Sequence, residues 1–222
     1  MKIGIMQPYF FPYLGYFQLI KEVDIYVNLD HVSFMKRSYM TRNSLKNDTP
    51  INLILNNSSQ NKKCHEVTVN FENGYIDKFK KTLHHLYSKS DYYYEINSLI
   101  INPMFIKQDI SVSAFNIGLI KNICNYLDIT TKIVDSSTGL TELKKGEGLK
   151  EIAKKHNCKT YVNAIGGQSL YNKEDFKKDG IDLFFIKMGD VKLTNKYSSI
   201  LDLLYTHNKE HLKEQIENYT LI

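Results

Sequence analysis

Apolar residues come in short blocks at the two ends of the chain and return every third or fourth position through its middle. Residues 2–6 read as a buried strand, and residues 13–21 follow as a helix with Leu14, Phe17 and Ile20 on one face. Residues 24–29 read as a second strand. A helix of about nine residues between two apolar strands is a βαβ unit, so the strands are expected to be parallel with a right-handed crossover. Residues 30–43 show no period and read as a loop. Residues 51–55 and 66–70 read as a third and a fourth strand, the latter at an edge.

The middle of the chain is helical in pattern. Residues 73–89 bring Tyr75, Ile76, Phe79, Leu83, Leu86 and Tyr87 to one face. Residues 92–100 form another helix, expected to end before Pro103. Residues 109–127 give the strongest pattern, with Val112, Phe115, Leu119, Ile120, Ile123 and Leu127 in register and Asp109 or Ser111 as cap. From residue 131 strands and helices alternate again. Strands are expected at 131–134, 160–164 and 183–188. Helices are expected at 147–156, 173–178, 200–205 and 209–219. The expectation is one α/β domain over residues 1–222, a mainly parallel sheet flanked by helices, with a helical insertion at about residues 71–130.

Composition narrows the function classes. Of 222 residues, 42% are hydrophobic, enough for a core without staples. The net charge of +5 suits an anionic small molecule but is too low for a nucleic-acid stripe, so no nucleic acid is expected. Cys64, Cys124 and Cys158 are widely spaced, without a C-x-x-C pair. They suggest neither a disulfide framework nor a structural zinc, and no metal ligand set is read from the sequence. His84 and His85 are neighbours on a helix and face different sides. Cys64-His65 sits in a polar loop with no partner for a nucleophile. No run of about 18 apolar residues occurs, so no membrane span is expected. No basic segment leads into an apolar one at the N-terminus, and the cytoplasm is the expected location.

Candidate chemistry lies where strands end, because open α/β sheets bind ligands at that edge. The turn after the first strand is Gln7-Pro-Tyr-Phe-Phe-Pro-Tyr-Leu-Gly-Tyr16. It offers the hydroxyls of Tyr9, Tyr13 and Tyr16, and Gly15 at the start of a helix for close approach of a phosphate. Asp30 and His31 follow the second strand, and either could take a proton from an amine. Lys36, Arg37, Arg42 and Asn43 follow in the loop; guanidinium and ammonium groups hold phosphate or carboxylate. Ser136 and Ser137 follow a later strand. Gly166-Gly167 with Ser169 and Tyr171 follow another, where glycine lets backbone N–H groups face a ligand. Packing of the aromatic turn, and a solvated basic loop, are the bland alternatives.

The N-terminal turn lines up with the strand-turn-helix signature of the HIGH-type nucleotidylyltransferases and pantothenate synthetases. Tyr13 and Tyr16 stand at the two histidine places of His-x-Gly-His, and Gly15 keeps its place. A tyrosine hydroxyl donates to phosphate but carries no positive charge at neutral pH. The resemblance implies a Rossmann-like, HIGH-type sheet. The chain also resembles the WbqC-like family, through the run from Gln7 to Ile20, through Phe34-Met-Lys-Arg-Ser-Tyr-Met-Thr-Arg-Asn43, and through Ser136-Ser137, Gly166-Gly167 and Tyr171. This resemblance covers nearly the whole chain. It implies an enzyme of O-antigen or capsule polysaccharide biosynthesis that handles amino sugars.

The expected activity is N-acylation or aminoacylation of the amine of a nucleotide-linked amino sugar. Asp30 or His31 would be the base, and Lys36 and Arg42 would hold phosphate or carboxylate. ATP or a ready-activated acyl donor would be the co-substrate, and a homodimer is compatible with this. Two alternatives stand beside it: a non-catalytic saccharide- or partner-binding module, favoured by the tyrosine-rich turn, and a nucleotidylyltransferase.

Overall fold

Strand β1 (Lys2–Met6) buries its three middle residues and forms the centre of the sheet. Ile3 and Ile5 face one layer. Gly4 faces the other, where a Cβ would lie 2.9 Å from Leu19 and 3.3 Å from Val23. The missing side chain lets the following helix, α1 (Leu14–Glu22), press against the strand. The computed structural model describes all residues except 57, 73, 106–108, 137–144 and 194–196.

The remaining elements follow in order: β2 (Ile25–Asn28), β3 (Arg42–Leu45), β4 (Thr49–Asn52), β5 (Ile54–Asn56), β6 (Thr68–Asn70), α2 (Tyr75–Tyr87), α3 (Tyr93–Ile96), α4 (Asn102–Met104), α5 (Val112–Tyr126), β7 (Lys132–Val134), α6 (Lys145–Lys155), β8 (Thr160–Ala164), α7 (Lys173–Lys178), β9 (Asp182–Met188), α8 (Ile200–Thr206), α9 (Lys209–Ile216) and β10 (Tyr219–Leu221). The main sheet has the order β10-β9-β8-β1-β2-β7. Its first five strands in chain order pair in parallel, and β10 is antiparallel to β9. One face packs on α6 and α7 through Leu149, Ile152, Ala153 and Phe176. The other packs on α1, α8, α9 and the segment between β2 and β7. The chain is thus an α/β protein with a mostly parallel central sheet flanked by helices.

The expected βαβ unit at the N-terminus is present, and β1 pairs in parallel with β2. Ser111 caps α5 by accepting from Ala114 N–H at 3.1 Å. Four expectations need correction. Residues 51–55 are not one strand of the main sheet. They divide between β4, which pairs with β3, and β5, which pairs with β6, in two small antiparallel hairpins. The inserted segment is therefore larger than residues 71–130 and not purely helical. Alternation in sequence marks extended chain but not which sheet receives it. The helix from Tyr93 runs on through Pro103 by way of a π-helical stretch, Asn97–Ile101, which breaks the regular i→i−4 ladder just ahead of the proline. Tyr219 belongs to β10 rather than to the last helix.

The turn between β1 and α1 is held from all sides. Phe11 has a left-handed backbone, φ 46°, which costs a bulky residue energy unless its surroundings enforce it. The rings of Phe10 and Phe11 are fully buried, 4.8 Å apart. The carbonyls of the turn receive donors from distant segments. Tyr16 Oη gives to Gln7 O at 2.8 Å, and Asn116 Nδ2 to Pro8 O at 2.9 Å and to Met40 O at 2.8 Å. Asn43 Nδ2 gives to Phe10 O at 3.0 Å and Phe11 O at 2.7 Å. Ser199 Oγ gives to Phe11 O at 3.0 Å.

Asn43→Ala leaves the Phe10 carbonyl short of this donor and weakens the clamp on a strained residue. It should cost about 2–3 kcal/mol in urea denaturation, whereas Lys81→Ala on the exposed face of α2 should stay within about 0.5 kcal/mol of wild type.

Candidate functional site

Numbered 1 to 6 in chain order, the strands of the main sheet lie in the order 6-5-4-1-2-3. The chain winds outward from β1 in one direction through β2 and β7. It then returns to the other side of β1 to lay down β8 and β9. At such a reversal the loops leaving the two central strands part, and a crevice opens at the carboxyl ends of the strands. A cavity of about 890 Å³ lies there. Its floor comes from Ile5 and Met6 of β1, from Gln7 just after it, and from Asn163 and Ala164 of β8. The size falls in the ordinary range for small-molecule sites, about 300–1,000 Å³.

Aromatic rings form the mouth. Tyr9 and Tyr39 lie 5.8 Å apart, and Tyr13 and Tyr197 6.3 Å apart. Tyr39 and Tyr197 are 63% and 69% exposed, so large apolar surface stands open at the entrance. Burial, and then the neighbouring phenols, push the Tyr9 and Tyr13 hydroxyls above the usual range. Burial does the same at Tyr171. All three remain neutral hydrogen-bond donors at physiological pH.

On the β8 side, Gly166 and Gly167 line the wall. A Cβ at Gly167 would lie 2.4 Å from Asn163 Nδ2, so glycine there makes room for an amide at the cavity floor. Asn163 Oδ1 accepts from Ala164 N–H at 2.8 Å, which fixes the orientation of that amide.

A polar corner forms past the end of β2. Asp30 is buried, and His31 reaches the cavity wall. Ser136, just beyond β7, donates to Asp30 Oδ1 at 3.0 Å and lies 3.1 Å from His31 Nε2. With its one proton given to Asp30, the hydroxyl accepts from the imidazole. His65 enters from the inserted segment. Its ring lies 4.3 Å from that of His31, tilted by 36°, and its Nδ1 lies 3.3 Å from the Asp30 carbonyl oxygen. Ligand atoms of Asp30, His31 and His65 all lie within 4.8 Å of one another.

The residues expected from the sequence fall into three groups. Gln7, Tyr9, Tyr13, His31, Asn43, Gly166, Gly167 and Tyr171 line the cavity. Asp30 and Ser136 stand directly behind His31. Lys36, Arg37, Arg42 and Ser169 are exposed and form no part of the cavity wall, so the anion clamp expected from the basic loop is not assembled. Among the described residues, Lys63 is the lysine in the wall instead. Two further expectations change in meaning. Tyr16 is buried and bonds to Tyr26 and Gln7 O rather than to the cavity. A Cβ on Gly15 would meet the Tyr13 ring at 2.4 Å, so this glycine makes way for a side chain of its own turn rather than for a phosphate. Asn43 touches the cavity, but its amide is committed to the turn. Ser137 lies outside the described residues. His65, Lys63, Asn163, Tyr39 and Tyr197 carried no distinguishing pattern in the sequence.

Cys64 is no nucleophile. Burial, then the nearby Asp30 charge, push its thiol up to about 12, and its sulfur lies 3.3 Å from both Val32 O and Met40 Sδ. No helix among the described residues is long and apolar enough to cross a membrane.

The WbqC-like protein family model matches residues 7–214. A protein of Mycobacterium tuberculosis (strain ATCC 25618 / H37Rv), described as "Uncharacterized protein Rv1507c", is 24% identical over 189 residues, which cover 79% of this chain and 77% of that protein. No solved structure matches the chain.

Two outcomes follow from the titration shifts. Cys64, Cys124 and Cys158 are all buried with raised thiol values, so iodoacetamide at mildly alkaline pH should label none of them in the native chain and all of them after denaturation, as read by mass spectrometry. Burial raises the Tyr16 and Tyr26 phenols well above their ordinary value. The unfolded chain releases these protons above pH about 10 while the folded chain keeps them, so stability should be complete below that pH and fall as pH rises further. Tyr16→Phe should shallow that alkaline slope in denaturation curves.

Proposed function

This chain belongs to the WbqC-like protein family, and from that premise we propose that it is an enzyme of surface-polysaccharide sugar biosynthesis that forms an amide on the amine of a nucleotide-linked amino sugar. The observation that carries the reading is the cavity at the strand-order reversal, with an aromatic mouth at one end and the Asp30–Ser136–His31 corner at the other. Its size suits a nucleotide sugar. The order of its sheet is that of doubly wound nucleotide-binding sheets, which supports a Rossmann-like, HIGH-type relationship.

In this reading the base and sugar stack on the tyrosines, and their neutral hydroxyls donate to phosphate and sugar oxygens. Lys63 supplies the positive charge for phosphate. The backbone around Gly166 and Gly167 allows close approach on the opposite wall. The sugar amine attacks the acyl carbon of an activated donor, either an acyl-adenylate made with ATP or a thioester. The carbon–nitrogen bond forms, the donor's leaving group departs, and the amine proton passes into the corner that His31 opens to the cavity. Ser136 ties His31 to Asp30 and fixes the orientation of the imidazole. Nucleotidyl transfer is less well supported, because Tyr16, at one of the two histidine places, is buried away from the cavity.

The exposed Tyr39 and Tyr197 favour one further reading, a saccharide-binding module without catalysis. Incubation of the full chain with dTDP-amino sugars and either ATP plus amino acids or acyl thioesters, followed by mass spectrometry, should reveal a new amide. Tyr13→Ala should raise KM about tenfold, and His31→Ala should lower kcat about 100-fold or more. Failure to form an amide with every donor would refute the enzymatic reading. Thermal stabilisation by free glycans but not by nucleotides would favour the binding module.

A further inference from the structure

The Asp30, His31 and His65 cluster has the composition of a cation site. We infer that these three side chains hold a divalent first-row transition metal, such as zinc, at the inner end of the cavity. Two imidazoles and one carboxylate are a ligand set that such ions prefer and that magnesium and calcium, which favour all-oxygen shells, do not.

Four observations support the assignment. The three ligand atoms lie within 4.8 Å of one another, close enough for small side-chain rotations to bring them round one ion. The Asp30 Oδ1 to His31 Nε2 separation is 3.7 Å, near the spacing of two ligands on one tetrahedral centre. His65 places Nδ1 at 3.3 Å from the Asp30 carbonyl oxygen. Donation to that carbonyl leaves the Nε2 lone pair as the ligand, and this outer hydrogen bond is the usual way a metal-binding histidine is oriented. Ser136 Oγ donates to the carboxylate at 3.0 Å, an outer hydrogen bond that orients this ligand, and the ion would take the place of the proton that His31 Nε2 shares with that hydroxyl at 3.1 Å. Cys64, next in the chain to His65, turns its sulfur towards Val32 O and Met40 Sδ and takes no part.

Because His31 lines the cavity, an ion held here has open positions facing a ligand. It would act as a Lewis acid towards a carbonyl or phosphoryl oxygen. The inference stands apart from the amide-forming reading, since metal binding is measured without substrate. If both hold, His31 would serve as ligand rather than as base, and the ion would polarise the acyl carbonyl.

The test is titration of the chelator-treated, tag-free full chain with Zn²⁺ by calorimetry and with Co²⁺ by visible absorption. One equivalent of each should bind, with ligand-field bands for cobalt and a rise in Tm with zinc. His65→Gln, on a half-buried ring, keeps bulk at the site and should weaken Zn²⁺ binding by about 100-fold or more while circular dichroism and metal-free Tm stay near wild type. Asp30→Asn and His31→Ala should weaken it similarly. The stacked pair His207 and His211, one turn apart around the start of α9, is a competing chelate, and a double alanine variant there should bind Zn²⁺ as wild type does. Absence of saturable binding to the folded wild type would overturn the inference. So would unchanged binding in His65→Gln, loss of binding in the His207/His211 variant, or Mg²⁺ binding as tightly as Zn²⁺.

Discussion

Backbone carbonyls in the turn from Gln7 to Phe11 must find donors, and much of this structure is arranged to supply them. The turn follows a central strand and precedes a buried helix, so its polar groups cannot all reach water. A buried carbonyl without a partner costs about 1–3 kcal/mol, and a left-handed phenylalanine adds strain. Tyr16 from α1, Asn43 from β3, Asn116 from α5 and Ser199 ahead of α8 each answer one or two of these groups. The helix that follows the turn and three segments distant in sequence are therefore fixed to a single point.

That point is also where the cavity begins. The hydrogen bonds that satisfy the turn bring the inserted segment over the carboxyl edge of the sheet. Tyr39 and Met35 thereby reach the mouth, and Lys63 and His65 reach the wall and the corner. On the far side the strand-order reversal delivers Asn163, Gly166 and Gly167. The site is composite: a sheet edge supplies its floor, a rigid aromatic turn one wall, and the insertion its lid-side polar groups. Asp30 and His31 follow directly on β2, but His65 joins them only because the insertion is held down.

Residue types that can serve two purposes account for most differences between the linear reading and the folded chain. Asn43 looked like a ligand-reading amide, and its amide is spent on two carbonyls. Gly15 looked like room for phosphate, and the Tyr13 ring fills that room. Tyr16 looked like a donor to substrate, and it donates to Gln7. In each case the chemistry was legible and the recipient was not. Lys36, Arg37 and Arg42 differ in kind. They follow a strand end as expected, but the path of the loop, with Arg37 in a left-handed turn position, leaves them in solvent.

Period and punctuation in the chain determined the βαβ start, the long helix α5 with its Ser111 cap, and the alternation after residue 131, because burial of one face imposes a two- or 3.6-residue repeat on whichever residues face inward. They also placed Asp30, Ser136 and Gly166 at strand ends, hence at the ligand edge. The tertiary structure alone decided which strands share a sheet, since pairing partners leave no local trace. It alone brought His65 to Asp30 and His31. That meeting depends on hydrogen bonds closing over a long insertion, and no spacing in the sequence encodes it.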